Sequence, residues 1–252
     1  MRHGGKILID QLEAQGATTA FTVPGESFLA ALDGLHDSNR VKTIICRQEG
    51  GASMMAEAWG KITGEPGICM VTRGPGIANA MSGLHVAQQD STPMVTFVGL
   101  PSLGHEDREA FQEFETKQLL SSFVKWAAVI RQTERIPEYV SQAFHAARSG
   151  RPGPVVLGLP EDMLAAECET ADAKRAIARA GHGRLRLGVE EHRGLVHRHE
   201  RREPPAQPRA AHLARRIHLH GAAAAEEAKA ASHRSQLARD GGLGQLPLVE
   251  PR

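Results

Sequence analysis

Residues 67–100 read GICMVTRGPGIANAMSGLHVAQQDSTPMVTFVGL, and the order of element types in that string decides the fold. Gly67 to Thr72 is a short apolar run stopped by the turn signal Gly74-Pro75-Gly76, which marks it as a strand. Ile77 to Gln88 follows with helical character. Pro93 to Leu100 is a second strand, so apolar that both of its faces are expected to be buried. A strand, a helix and another strand in this order describe a parallel pair with a crossover.

The same alternation extends in both directions. Upstream, Gly5 to Gln15 has apolar residues at Ile7, Leu8 and Leu12, a helical spacing. Thr18 to Val23 is a β-branched and aromatic strand that stops at Pro24-Gly25. A helix from Ser27 to Leu35, a strand from Val41 to Cys46 and an Ala- and Met-rich helix from Gly50 to Ile62 complete that half. Downstream, Val124 to Arg131 and Pro154 to Leu159 are strands on either side of the helix Ile136 to Arg148. The expected fold class is α/β, a parallel sheet with helices on both faces.

Composition changes along the chain. All seven methionines and all of the seven Phe, two Trp and one Tyr precede residue 165. The 82 residues beyond Thr170 contain none of these and no cysteine, yet carry eight of the thirteen histidines and fourteen arginines against two lysines. A segment so poor in large apolar side chains does not offset its ordering entropy. The expected organisation is one domain over 1–166 and an irregular or disordered Arg/His/Ala-rich tail over 167–252. The bias of the tail matches a GC-rich gene read in a shifted frame, with the frame lost near 168–185; a genuine basic tail is the rival reading. His197, His199, His218 and His220 have no carboxylate or cysteine partners at ligand spacing, so no metal site is expected there.

Other features narrow the function classes. The net charge is +1, which gives no attraction to nucleic acid or an anionic membrane. Acidic residues interleave the tail's arginines and no aromatics accompany them, so nucleic-acid binding is not expected. No apolar run reaches the length of a membrane span, and the start lacks a signal-type apolar region. Cys46, Cys69 and Cys168 form neither a disulfide framework nor a zinc spacing. A cytoplasmic location is expected.

Ligands on parallel sheets bind beyond the carboxyl ends of the strands. That edge holds Val23-Pro24-Gly25-Glu26, then Arg47-Gln48-Glu49-Gly50-Gly51-Ala52, then Thr72-Arg73-Gly74-Pro75-Gly76 with Asn79. Gln89-Asp90-Ser91-Thr92-Pro93, Ala110-Phe111-Gln112-Glu113 and Gly150-Arg151-Pro152-Gly153-Pro154-Val155 follow in register. No Gly-rich phosphate loop of the GxGxxG or GxxxxGK type is present. Over residues 4–164 this pattern resembles the pyrimidine-binding (PYR) domain of thiamine-diphosphate enzymes. The Phe-Gln-Glu element makes the acetolactate synthase large subunit the most similar branch.

The resemblance implies a PYR-type fold that docks the cofactor's aminopyrimidine ring at a dimer interface. Glu49 matches the family's glutamate that hydrogen-bonds ring nitrogen N1′ and favours the imino tautomer, which takes the C2 proton; the thiazolium then serves as electron sink for a 2-keto acid. Glu49 and Gln112 are the implied catalytic residues. Pro24, Gly25, Thr72, Pro75 and Asn79 are implied to join them in the cofactor pocket, with Glu26 and Phe111 beside the substrate. Acetolactate synthases usually carry Gly-Gly where this chain has Gly25-Glu26, which bears on acceptor choice. The family's Gly-Asp-Gly and Asn-Asn, which hold Mg²⁺ and the diphosphate, do not occur; Arg239-Asp240-Gly241-Gly242 is the nearest string.

Three functions follow from this resemblance. The first is the N-terminal part of an enzyme that decarboxylates pyruvate and joins 2-keto acids, inactive without the missing domain. The second is a PYR-only subunit paired with a separate diphosphate-binding chain, and the third is a non-catalytic fragment. A homodimer or such a partner is implied, and FAD is left undecided because its contacts lie outside this first domain.

Overall fold

The structure, a computed structural model, describes residues 1–176; the expected irregular tail from 177 onward and the second half of the stretch of expected frame loss lie outside the described residues. Strand β1 (Arg2–His3) leads into helix α1 (Gly4–Gln15), then β2 (Thr19–Thr22), a 3₁₀ turn at Glu26–Phe28, α2 (Leu29–Asp37) and β3 (Lys42–Ile45). Helix α3 (Glu49–Thr63), β4 (Gly67–Thr72), α4 (Arg73–Gln89) and β5 (Met94–Leu100) follow. After a long loop come α5 (Thr116–Leu120), β6 (Trp126–Val129), α6 (Ile136–Arg148), β7 (Pro154–Pro160), α7 (Glu161–Ala165) and β8 (Glu167–Cys168).

Six strands form one parallel sheet in the order β3-β2-β4-β5-β7-β6. Every residue of β5 and β7 is buried, because helices cover both faces of the central strands. The alternation along β4 shows the two layers: Ile68 and Met70 join α1, α2 and α6 on one face, whereas Cys69 and Val71 join α3 and α4 on the other. Phe97 of β5, 1% exposed, sits in the first core with Phe28 and Phe144. Burying a side chain of that size stabilises by about 1.5–3 kcal/mol. The expected α/β sheet with helices on both faces is therefore the observed one.

Several boundaries differ from the sequence expectation. Gly74-Pro75-Gly76 is no turn: β4 ends at Thr72 and α4 begins at Arg73, with the change of direction taken up by Arg73 at φ 45°. Because proline has no N–H to offer, it is tolerated in a helix's first turn, where that donor has no partner. The strand expected over 124–131 shortens to Trp126–Val129. The helix expected from Ser27 starts as a 3₁₀ turn and becomes α-helical at Leu29.

Residues 167–176 run along the outside of α1. Strand β8 pairs antiparallel with β1, Arg2 opposite Cys168 and His3 opposite Glu167. Two fully buried glutamines of α1 then hold the backbone beyond it. Gln11 donates to Ala173 O at 3.0 Å and accepts from Ala173 N at 2.8 Å. Gln15 does the same with Lys174 O at 3.0 Å and Ala176 N at 2.7 Å. Each side-chain amide thus acts as a short piece of sheet edge for a segment with few apolar groups of its own.

Candidate functional site

The strand order places β3 on one side of β2 and β4 on the other. Chain direction across the sheet reverses between β2 and β4, and the crevice at the carboxyl ends of those two strands is the place where such sheets bind ligands. Pro24 and Gly25 leave β2 there, and Thr72 ends β4. The two loops touch: Ser27 Oγ lies 2.7 Å from Thr72 Oγ1. A side-chain carbon on Gly25 would stand 2.4 Å from Thr72 Cβ, so only glycine permits that approach.

Glu49 follows the next strand, β3, and is the first residue of α3. Gln48 caps the helix, its side chain accepting from Gly51 N at 2.8 Å. A carboxylate at this end is favoured by the helix dipole. Asn79, on the second turn of α4, donates through Nδ2 to Glu49 Oε2 at 3.0 Å. The pair meets because α3 and α4 pack closely, with Gly83 of α4 against Ser53 of α3; a side-chain carbon on Gly83 would lie 2.4 Å from Ser53 Oγ. Glu49 is half-buried, and a side-chain carbon on Gly51 would meet nothing within 4 Å, so the helix N-terminus opens onto free space.

Phe111 and Gln112 arrive on the loop after β5. Both side chains are exposed, Phe111 to 68%, and Gln112 adopts a left-handed φ of 60°. Gly74 N donates to Gln112 O at 3.0 Å, which ties the loop to the start of α4. The structure therefore brings Gly25 to Thr72, Glu49 to Asn79, and Phe111–Gln112 to Arg73–Gly74. Pro75 lies exposed in the first turn of α4, between these groups. Glu26 faces outward at 67% side-chain exposure and pairs with Arg73 at 3.2 Å.

Sequence reasoning passed over Arg73, Ser27 and Glu161 as site residues. Arg73 is buried, yet an arginine in a Gly-Pro-Gly turn reads as a solvated charge, and nothing local signals its burial. Glu161 directly follows the Leu159-Pro160 end of β7, which placed it at the same sheet edge. A partly open cavity of about 120 Å³ lies farther along that edge, lined by Leu100, Phe114, Thr116, Val129 and Pro160 among others. It includes none of Glu49, Asn79 and Gln112, so it is separate from the group at the switch point.

Residues 2–119 match the family described as "Thiamine pyrophosphate enzyme, N-terminal TPP binding domain". The N-terminal region of this chain is such a domain. The match takes in every candidate residue from Pro24 to Gln112. The chain is 36% identical over 163 residues to the mitochondrial acetolactate synthase catalytic subunit of Saccharomyces cerevisiae, covering 65% of this chain and 24% of that protein. It is 36% identical over 165 residues to the acetolactate synthase of Mycobacterium bovis (66% and 27%). Over 161 residues it is 36% identical to the acetolactate synthase isozyme 2 large subunit of Escherichia coli (64% and 29%). The chain thus spans less than a third of the length of these relatives.

The thiamine pyrophosphate enzyme domain offers no cluster of three or more His, Cys, Asp or Glu side chains suited to a metal ion among its described residues. No helix among them is long and apolar enough to cross a membrane. No disulfide joins its cysteines: Cys46 and Cys69 are buried and Cys168 is half-buried. Burial pushes the Cys69 thiol well above its ordinary range, and that of Cys46 more modestly.

Proposed function

We propose that this domain docks the aminopyrimidine end of thiamine diphosphate at the switch point, as the N-terminal part of an acetolactate synthase-like enzyme acting on 2-keto acids. The observation that carries the proposal is Glu49: a carboxylate on a helix N-terminus, held by Asn79 on one oxygen, beside the open space at Gly51. Oε1 then takes the ring nitrogen N1′ and holds a proton there. When bound, thiamine diphosphate supplies the electron sink for decarboxylation of pyruvate and its joining to a second keto acid. Pro24, Gly25, Thr72 and Pro75 line the ring pocket, and Gln112 with Phe111 and Glu26 borders the substrate side.

Glu49 is only half-buried in the single chain, whereas sharing a proton with a ring requires exclusion of water. A second chain provides that cover. Support comes from α3 itself, whose buried side carries Ala52 and Ala56 while Met54, Met55 and Ile62 stand 43%, 40% and 84% exposed. The partner is a second copy or a separate diphosphate-binding chain; it brings the diphosphate and Mg²⁺ contacts, and the domain over 1–166 is inactive alone. Three cysteines outside any disulfide fit the cytoplasm.

The test is complementation in trans. The full chain is mixed with the remaining domains of an acetolactate synthase, thiamine diphosphate, Mg²⁺ and pyruvate, and pyruvate consumption is followed. Wild type restores turnover, and Glu49→Gln loses about 10²-fold or more at unchanged melting temperature. A Glu49→Gln chain as active as wild type removes Glu49 from the chemistry. Failure of wild type to restore turnover with any such partner leaves a non-catalytic fragment, and turnover by the isolated chain refutes its dependence on a partner.

A further inference from the structure

The segment that carries Phe111 and Gln112 is strained and exposed; Glu113 bonds it internally at Asp107 N and Ala110 N, Arg131 pairs with Glu106 at its start, and one point fastens it to the start of α4. Asp107, Glu109 and Gln112 are non-glycine residues at φ 59°, 53° and 60°. Such conformations persist only where surrounding contacts over-determine them. The fastening is Arg73, itself left-handed at φ 45°. Its side chain is 9% exposed. Nη1 donates to Phe111 O at 3.2 Å and pairs with Glu26 at 3.2 Å; Nη2 donates to Glu161 Oε2 at 3.3 Å. The guanidinium carbon also stands 5.5 Å from the centre of the Phe111 ring, within the range of a cation–π contact. The neighbouring amide, Gly74 N, holds Gln112 O, and Ser102 Oγ steadies Glu161 from the other side at 2.8 Å.

A buried guanidinium is costly to desolvate and its Nε has no partner among the described residues. A surface position would avoid that cost. The one thing gained by the burial is a planar fork that reaches three chain segments at once, which a lysine ammonium does not match. We propose that Arg73 is the positioning residue of the site: it holds the Phe111–Gln112 backbone against the first turn of α4, with Glu26 and Glu161 setting the direction of its fork. Arg73 touches no reacting atom; it acts through Gln112. The inference rests on the docking site proposed above, since Gln112 matters chemically only if the cofactor binds beside it.

The test is hydrogen exchange by mass spectrometry on the full chain, which needs no cofactor. Arg73→Met speeds exchange of amides in residues 107–114 by about tenfold, with β5 and α1 within about twofold of wild type. Arg73→Lys, which reaches one acceptor, stays faster than wild type by about fivefold or more. Glu161→Gln accelerates the same amides and no others. An acceleration below about fivefold in Arg73→Met, or one shared equally by β5, overturns the inference and leaves Arg73 a structural residue. Thiamine diphosphate titration of the complemented assembly is read separately. A loop released by Arg73→Met together with no cofactor binding by the wild-type assembly refutes the docking site, whereas cofactor binding by the wild-type assembly with a loop unmoved in Arg73→Met refutes only the role of Arg73.

Discussion

Replacing Gln11 and Gln15 by alanine isolates the energy that fastens residues 173–176 to α1. Each glutamine makes two hydrogen bonds to backbone, at 2.7 to 3.0 Å. At about 0.5–1.5 kcal/mol for each bond, one substitution costs about 1–3 kcal/mol. Both side chains are fully buried, so the lost amide volume adds to the cost and the upper half of that range applies. The two sites lie one helical turn apart and grip the same segment, so the second loss adds less than the first. The double variant is expected to lose about 3–5 kcal/mol. For a domain of this size about 1 kcal/mol corresponds to a 2–4 °C shift in Tm, which gives a decrease of about 6–20 °C. Differential scanning fluorimetry of the full chain measures it, with exposed Gln118→Ala as control. A double variant melting within about 2 °C of wild type refutes the bonding of 173–176 to α1.

Gly25→Ala drives a new carbon to 2.4 Å from Thr72 Cβ; urea denaturation should show a loss of about 1–3 kcal/mol, and complementation in trans should fall with it. Phe97→Ala removes the largest side chain of β5 and should cost about 3–5 kcal/mol in the same titration. Iodoacetamide at pH 8 should modify Cys168 and spare Cys69, whose thiol burial keeps protonated; peptide mass spectrometry reads the ratio, and equal labelling refutes the assignment. The Arg131 guanidinium lowers the Glu106 carboxyl below its ordinary value. A lowered folded-state value means that the pair's contribution is present above the ordinary carboxylate range and is lost as pH falls below it. Arg131→Met should thus destabilise by under about 1 kcal/mol at pH 7 and by nothing near pH 2.

The sheet was legible because its strands carry both layers of the core in their own composition. Pro93 to Leu100 is apolar at every position but Thr96, and β5 is buried throughout. Ile136 to Arg148 coincides with α6, where the apolar spacing and the proline near its start agree. Gly74-Pro75-Gly76 misled because its glycines and proline read alike as a turn or as the first helical turn; the tertiary fit of Arg73 chose between them. The site residues Glu49 and Asn79 stand thirty positions apart, and their contact depends on how closely α3 and α4 approach at Ser53 and Gly83. Arg73 was invisible for a related reason. Its burial is decided by Glu26, Phe111 and Glu161, three segments that meet only once the sheet has closed. The docking of 167–176 escaped notice because its partners are side-chain amides, which leave no apolar pattern in the segment they hold.

Pairing of β1 with β8 sets Arg2 opposite Cys168, so the first and last strands meet at one corner, and the backbone then runs back along the outside of α1 to Ala176 beside Gln15. A unit wired in this way is a cassette: it can be lifted out, or spliced into a surface loop of another protein, without stretching the host chain across the sheet. A permuted version with a linker long enough to run the length of α1 from Ala176 back to Met1, and new ends cut in the loop near Gly104, should therefore keep the α/β sheet. The design keeps every strand crossing intact and moves only where the thread is cut.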